Sequence, residues 1–275
     1  MSQRLRRLAP LALAASLAFG TASAGAPAPA AAAGPTVAAA EQQMLGLLNG
    51  DRQTAGLVAV RVDSRLMAIA RARATDMATR HYFAHHGPDG RNVFDILNER
   101  GITWYGAGEI ISWDDWPLAD SAGVANNGWL GSSGHRDILM STSYNYVGVG
   151  LATDASNGHN IWVAVFMKGP DRTGGWVSLN RVQTPAIASV ASARYRVVSV
   201  TWRGGDIPLV VLTAGLRDYQ VQVRTDGGVW RWFATSTTKT SQGIRLWRGH
   251  TYDMRVRACD RRGNCGSWSV THLVG

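Results

Sequence analysis

The apolar residues of this chain change their period once, and that change limits what it can build. Between residues 41 and 130 they recur about three to four positions apart. From Tyr146 onward they fall in short runs rich in β-branched and aromatic residues. Glu41 to Arg52 sets Met44, Leu47 and Leu48 on one helical face. Asp63-Ser64 can cap a second helix whose apolar stripe is Leu66, Ile69, Ala70 and Met77, with Arg65, Arg71, Arg73 and Arg80 on solvated faces. A third, short helix fits Val93, Ile96 and Leu97 and ends at Gly101. A fourth fits Leu118 to Leu130, weakened by Gly123 and Gly128. Tyr146 to Thr153 and Asn160 to Met167 then read as strands joined through Asn157-Gly158, a hairpin signal. Helices packed on an antiparallel sheet make an α+β domain over 41–168.

Composition excludes several classes. With 45% hydrophobic and 17% charged residues, the chain is globular rather than disordered, collagenous or polytopic in a membrane. Its 2 cysteines are too few for a disulfide scaffold or a four-cysteine zinc site. The net charge of +9 is unevenly spread. Residues 1–40 hold three arginines and no acid, 41–185 hold 12 basic and 14 acidic residues, and 186–275 hold 13 basic and 5 acidic. The basicity therefore belongs to the C-terminal third and marks a second module.

The first 40 residues differ again. Arg4, Arg6 and Arg7 precede a Leu/Ala-rich run from Leu8 to Phe19, and Ala22-Ser23-Ala24 offers the small residues of a cleavage site. The run is too short to span a bilayer, which takes about 20 helical residues. Residues 1–24 read as a signal peptide and 25–40 as an Ala/Pro-rich spacer. Arg6-Arg7 leaves twin-arginine export open beside the general route. The mature chain is expected to be secreted, with no transmembrane segment.

Three polar clusters punctuate the helical half: His81 to Gly90, Gly108 to Ile111, and Trp129 to Arg136. They resemble the bacterial form of the CAP superfamily (cysteine-rich secretory protein, antigen 5, pathogenesis-related protein 1). Asn49, Arg52, Gly56, Leu66, Ala70 and Ala74 match the family's opening pattern, and Tyr82, Phe83, His85, Pro88, Asp89 and Gly90 match its "YF-x-H-x-x-PDG" stretch. Gly108, Glu109, Ile110 and Ile111 stand for "GENI", with Ile110 replacing the Asn. Trp129, Ser132, Gly134, His135, Arg136 and Leu139 match the "GHR" region, and Gly148, Val149, Gly150, Trp162 and Phe166 the closing strands. The resemblance covers 41–168 in order and implies an α-β-α sandwich around a cleft.

It further implies a cleft in which His85, Glu109 and His135 bind a divalent cation. Ser132 lines the cleft where animal members carry a second acid. Two imidazoles and a carboxylate suit zinc with water in the fourth place, and zinc would lower the pKa of that water toward about 7. The same residues also fit a cleft that hydrogen-bonds a small ligand without metal. Other chemistries fare worse. His81 and His85 have zincin spacing, but Tyr82 stands where the Glu belongs. Gly131-Ser-Ser-Gly134 is not a nucleophile elbow, and no third group is placed to complete a triad with Ser132 and His135.

Residues 169–184, punctuated by Gly, Arg and Pro, read as a linker to a module over 185–275. Strands are expected at Tyr195 to Trp202, Tyr219 to Thr225, Trp230 to Ala234, Gly243 to Trp247 and Tyr252 to Cys259, with turn signals between them. This spacing suggests an all-β immunoglobulin-like sandwich and resembles a bacterial fibronectin type III-like domain, with Tyr252 in the place of the tyrosine corner. Cys259 and Cys265 flank a short hairpin loop and are expected to form a disulfide in an exported protein.

The basic module suits an anionic cell-wall polymer or polysaccharide, and Trp230, Trp232 and Trp247 offer surfaces for sugars. No groove-reading helix or aromatic RNA motif speaks for specific nucleic-acid binding. Only 2 of the 28 basic residues are lysine, a coding bias that warns against reading every Arg as functional. The expectation is a binding or interaction role in which the cleft takes a divalent cation or small ligand and the basic module associates with the cell envelope. A metal-dependent hydrolase of peptides or wall polymers and a lipid-binding protein are the alternatives.

Overall fold

A computed structural model describes residues 35–183 and 194–275. The expected signal peptide (1–24) and most of the 25–40 spacer lie outside the described residues. The helical half opens earlier than expected. Helix α1 runs Val37–Thr54, with the Thr36 hydroxyl accepting from Ala39 N–H, so residues 37–40 belong to the domain and Ala40 is buried. Three consecutive alanines behind a threonine cap favour helix over spacer.

Strand β1 (Arg61–Val62) leads into α2 (Ser64–Arg80), whose N-cap is Asp63 as the sequence suggests. Then come α3 (Val93–Glu99), β2 (Gly106–Asp114), α4 (Leu118–Gly131), α5 (Ser133–Leu139), and the hairpin β3 (Tyr146–Thr153) and β4 (Asn160–Lys168). The sheet order is β1-β3-β4-β2, antiparallel except where β1 meets β3. Alternation along β4 divides two cores. Ile161, Val163, Val165 and Met167 face α2 and α3, whereas Trp162, Ala164 and Phe166 face α1 and α4. The result is three layers, α-β-α.

Helix α2 rests directly on β3. A Cβ added at Gly148 would lie 2.1 Å from the Leu66 carbonyl carbon, and one at Gly150 would lie 2.2 Å from the Arg71 nitrogen. The two glycines that match the family's closing strand are thus required by helix backbone seated where side chains would stand.

The stretch expected as a linker is largely structured. Strand β5 (Trp176–Gln183) pairs antiparallel with β6 (Tyr195–Gly205), so a strand occupies half of 169–184. Five more strands follow: β7 (Leu216–Thr225), β8 (Arg231–Thr237), β9 (Ser241–Trp247), β10 (Thr251–Asp260) and β11 (Ser269–Val274). They form a three-stranded sheet, β5-β6-β9, and a four-stranded sheet, β11-β10-β7-β8. Between the sheets lies a core of Val198, Val200, Trp202, Tyr219, Val221, Leu246, Met254 and Val256. Cys259 and Cys265 form the expected disulfide.

Residues 35–275 make one compact unit. The loop between β6 and β7 folds back on the helical half: Leu209 is buried in the α2-side core, and Asn145 donates to the Val211 carbonyl at 3.1 Å. Asp171 accepts from Ala214 N–H at 2.8 Å, while its own carbonyl accepts from Asn264. No helix among the described residues is long and apolar enough to cross a membrane.

Candidate functional site

The site grows out of α2. Arg73 lies four residues after Ile69 and four before Met77, on the buried stripe itself, and is 3% exposed. The expectation that it sits on a solvated face is therefore wrong. Its Nε donates to Glu109 Oε1 at 3.0 Å, its Nη1 to the Tyr82 hydroxyl at 2.8 Å, and its Nη2 to the carbonyls of Ala84 and His85 at 2.8 and 3.0 Å. Burial works against the guanidinium charge, but Glu109 and Tyr82 outweigh it and hold the pKa above its ordinary value. One arginine thereby fixes both β2, through Glu109, and the loop that carries His85.

Glu109 faces α2 from the edge strand β2 and is buried. Its second oxygen, Oε2, lies 2.8 Å from His85 Nδ1. Arg73, Glu109 and His85 thus form a chain from the core to the surface, where the His85 side chain is 49% exposed. With Nδ1 directed at a carboxylate, Nε2 is the ring nitrogen left for a ligand. The neighbouring Gly108 is constrained by packing, since a Cβ there would stand 3.1 Å from Ile138 and 3.2 Å from the Tyr144 hydroxyl.

His135 comes from α5, which is locked from behind. The buried Arg52 donates to the Leu139 and Ser141 carbonyls at 2.7 and 2.9 Å and to Val58 at 3.1 Å. Burial first, and then the charge of His85, lower the His135 pKa, so the two imidazoles sense each other. Ser132 stands at the junction of α4 and α5, where its N–H bonds to the Gly128 and Trp129 carbonyls. Beside His85 and Glu109 opens a cavity of about 260 Å³, walled by Val93, Phe94, Ile138 and Tyr144.

The fit to a divalent cation follows from these bonds. Both oxygens of Glu109 are engaged, Oε1 by the buried Arg73 guanidinium and Oε2 by His85 Nδ1, the arrangement of a carboxylate that orients a histidine. His85 and His135 would be the nitrogen donors to such an ion. Among the described residues, the only three His, Cys, Asp or Glu side chains whose ligand atoms all lie within 4.8 Å of one another are Asp171, Asp206 and Asp260. These sit elsewhere, where their oxygens accept backbone N–H groups at the junction of the two halves.

The residues missed from the sequence are Arg73, Phe94, Ile138 and Tyr144. Arg73 had a usable signal, its place on the stripe of Ile69 and Met77.

A three-layer sandwich with a histidine- and glutamate-bearing cleft defines the class of protein to which this half belongs. Residues 45–166 match the Cysteine-rich secretory protein (CAP) family, and the chain therefore carries a CAP domain there. It is 30% identical over 132 residues to the uncharacterized protein YkwD of Bacillus subtilis, covering 48% of each chain. It is 33% identical over 113 residues to the uncharacterized membrane protein YlbC of the same organism, covering 40% of this chain and 31% of the relative. The match thus spans about half or less of these relatives' length. An extracellular protein containing a SCP domain from Bacillus anthracis aligns with a TM-score of 0.42 and 26% identity, covering 47% of this chain and 40% of that one.

Proposed function

We propose that the protein is an exported binding protein. Its CAP cleft takes a divalent cation or small ligand at His85 and His135, and its basic β-module associates with the cell envelope. The observation that carries the cleft reading is the Arg73–Glu109–His85 chain. It fixes one imidazole with Nε2 free, next to a cavity whose apolar wall suits the body of a small ligand. A bound cation would supply Lewis acidity. The chain's own residues contribute orientation: Glu109 sets the His85 ring, Arg73 sets Glu109, and Arg52 anchors the end of the helix bearing His135.

The same chain favours binding over hydrolysis. A general base needs a carboxylate free to take a proton, and Glu109 is held between a buried cation and an imidazole. For the second module, a fibronectin type III-like reading is supported by seven strands in sheets of three and four. It is also supported by Tyr252, whose hydroxyl accepts from the Trp247 N–H at 3.1 Å, a tyrosine-corner contact.

Calorimetric titration of zinc into the full chain, beside a His85→Ala/His135→Ala double variant, tests the cleft. One-to-one binding that the variant loses is the expected result. Equal binding by both proteins would reject the histidines as donors. No binding by either would leave the small-ligand form of the reading.

A further inference from the structure

The outer face of the four-stranded sheet carries an unbroken chain of cations and rings. Strands β7 and β10 turn Val221, Met254 and Val256 inward, which sends Arg224, Arg255 and Arg257 outward. Trp230 has the guanidinium carbons of Arg224 and Arg255 at 4.6 and 4.1 Å from its centroid. Trp268 has those of Arg255 and Arg257 at 4.4 and 4.5 Å. The order is cation, ring, cation, ring, cation.

The charges of this ladder are not balanced. Arg224 donates to Asp253 at 2.7 Å, but Asp253 also engages His272. Arg255 donates only to Gln222, through Nε at 2.9 Å and Nη2 at 2.5 Å, and Arg257 to Gln220 through Nε at 2.8 Å. The module's other acids are engaged elsewhere: Asp218 by Arg217, Asp226 by His250, and Asp206 and Asp260 by backbone N–H groups. Burial, followed by repulsion from Arg257 and Arg224, lowers the Arg255 pKa, the mark of a cation without a counter-charge. Exposed apolar surface flanks the ladder, with Trp232 50% and Val270 56% exposed.

We propose that this ladder is the docking surface for a linear phosphodiester polymer of sugars or polyols, with Arg255 and Arg257 donating to successive phosphates and Trp232 and Val270 covering the carbon chain between charges. The proposal rests on the envelope-binding reading of the basic module and names the surface responsible. Two residues along one strand face place these cations about 7 Å apart, a periodic rather than a single-point charge. The side-on fork of Arg255, its best fit to a planar carboxylate, is occupied by Gln222. What remains are the terminal Nη N–H groups, which are free to donate to phosphate oxygens. Each ladder indole already carries two guanidiniums, which leaves little ring surface for a nucleobase to stack on.

The test measures binding of a fluorescent poly(glycerol phosphate) oligomer to the full chain across salt concentrations. It compares wild type, Arg255→Gln/Arg257→Gln, and a charge-matched control, Arg261→Gln/Arg262→Gln, in the exposed loop closed by the disulfide. The ladder pair is expected to weaken binding about tenfold or more and to flatten the slope of log affinity against log salt by about two, with the control near wild type. Equal losses in both variants would overturn the ladder while sparing envelope binding by diffuse charge. No binding by wild type at low salt would overturn both. Tighter binding of polygalacturonate, oligo-dT or phosphatidylglycerol vesicles than of the polymer would overturn the phosphodiester assignment. If the Gln pair loses the wild-type unfolding transition, Arg255→Lys/Arg257→Lys replaces it. That variant keeps both charges and is expected to bind several-fold more weakly, and unchanged affinity would overturn the role of the guanidiniums.

Discussion

Arg73 in the CAP domain and Arg255 in the β-module are both arginines whose guanidiniums are covered by protein, but the two halves stabilise them by opposite means. Arg73 is buried against a buried carboxylate, with a phenol and two carbonyls taking its other donors. Its charge is cancelled inside the fold. Arg255 is half-buried between indoles and a neutral glutamine, and its charge is left for the outside. The difference shows that arginine content alone says little about role. What matters is whether the guanidinium finds its anion within the chain.

The largest expected effect follows from that contrast. Arg73→Met removes the buried cation opposite Glu109 and leaves that carboxylate only its His85 contact, which should cost about 3–5 kcal/mol in denaturant unfolding, whereas Arg255→Gln should cost about 1 kcal/mol, the scale of exposed cation–π contacts. Similar costs at the two sites would break the comparison. An intermediate effect belongs to the disulfide. Cys259→Ser/Cys265→Ser opens a loop of sequence separation 6 and should lower stability by about 2 kcal/mol in the same assay, without altering zinc binding at the distant cleft. A change in zinc affinity would show that the halves are coupled.

The smallest effect is in acid. Hydrogen bonds from the Ser156 hydroxyl, then from His81, then from the Ser156 N–H hold the Asp154 carboxyl at about 2 against its ordinary 3.8. A depressed carboxylate stabilises the fold fully above its unfolded value and loses that contribution as pH falls from about 3.8 through about 2. Asp226 and Asp253 in the β-module are lowered in the same direction, chiefly by His250 and His272. Urea midpoints measured from pH 5 to pH 2 should therefore fall in wild type. In Asp154→Asn they should fall less steeply, the residual slope reporting Asp63 and Asp89 in the helical half together with Asp226 and Asp253 in the β-module.

Much of the fold was legible because its signals are local. The Asp63 cap, the stripe from Leu66 to Met77 and the β3–β4 hairpin depend on neighbours a few positions apart, and the structure places them where the sequence suggests. Strand β2 was not legible. Its sequence Gly-Ala-Gly-Glu-Ile-Ile-Ser-Trp-Asp opens with two glycines and carries a charge toward the helix layer, and it becomes a strand by pairing with β4. Strand β5 was hidden because it is a sheet edge whose alternation is broken by polar residues, Asn180 and Arg181, at a register shift between Leu179 and Arg181. In the site, His85 and Glu109 could be named from motifs. The guanidinium that organises them was signalled only by its place on the stripe of Ile69 and Met77, a weak sign because a lone Arg on a helix is normally solvated and its burial depends on Glu109 facing it from β2.

The bare backbone contact of α2 with Gly148 and Gly150 also bears on the timing of folding. The two surfaces meet across some 80 positions of chain, and at both glycines helix backbone stands where a Cβ would be. Contacts between segments so far apart in sequence carry a loop-closure cost and slow folding.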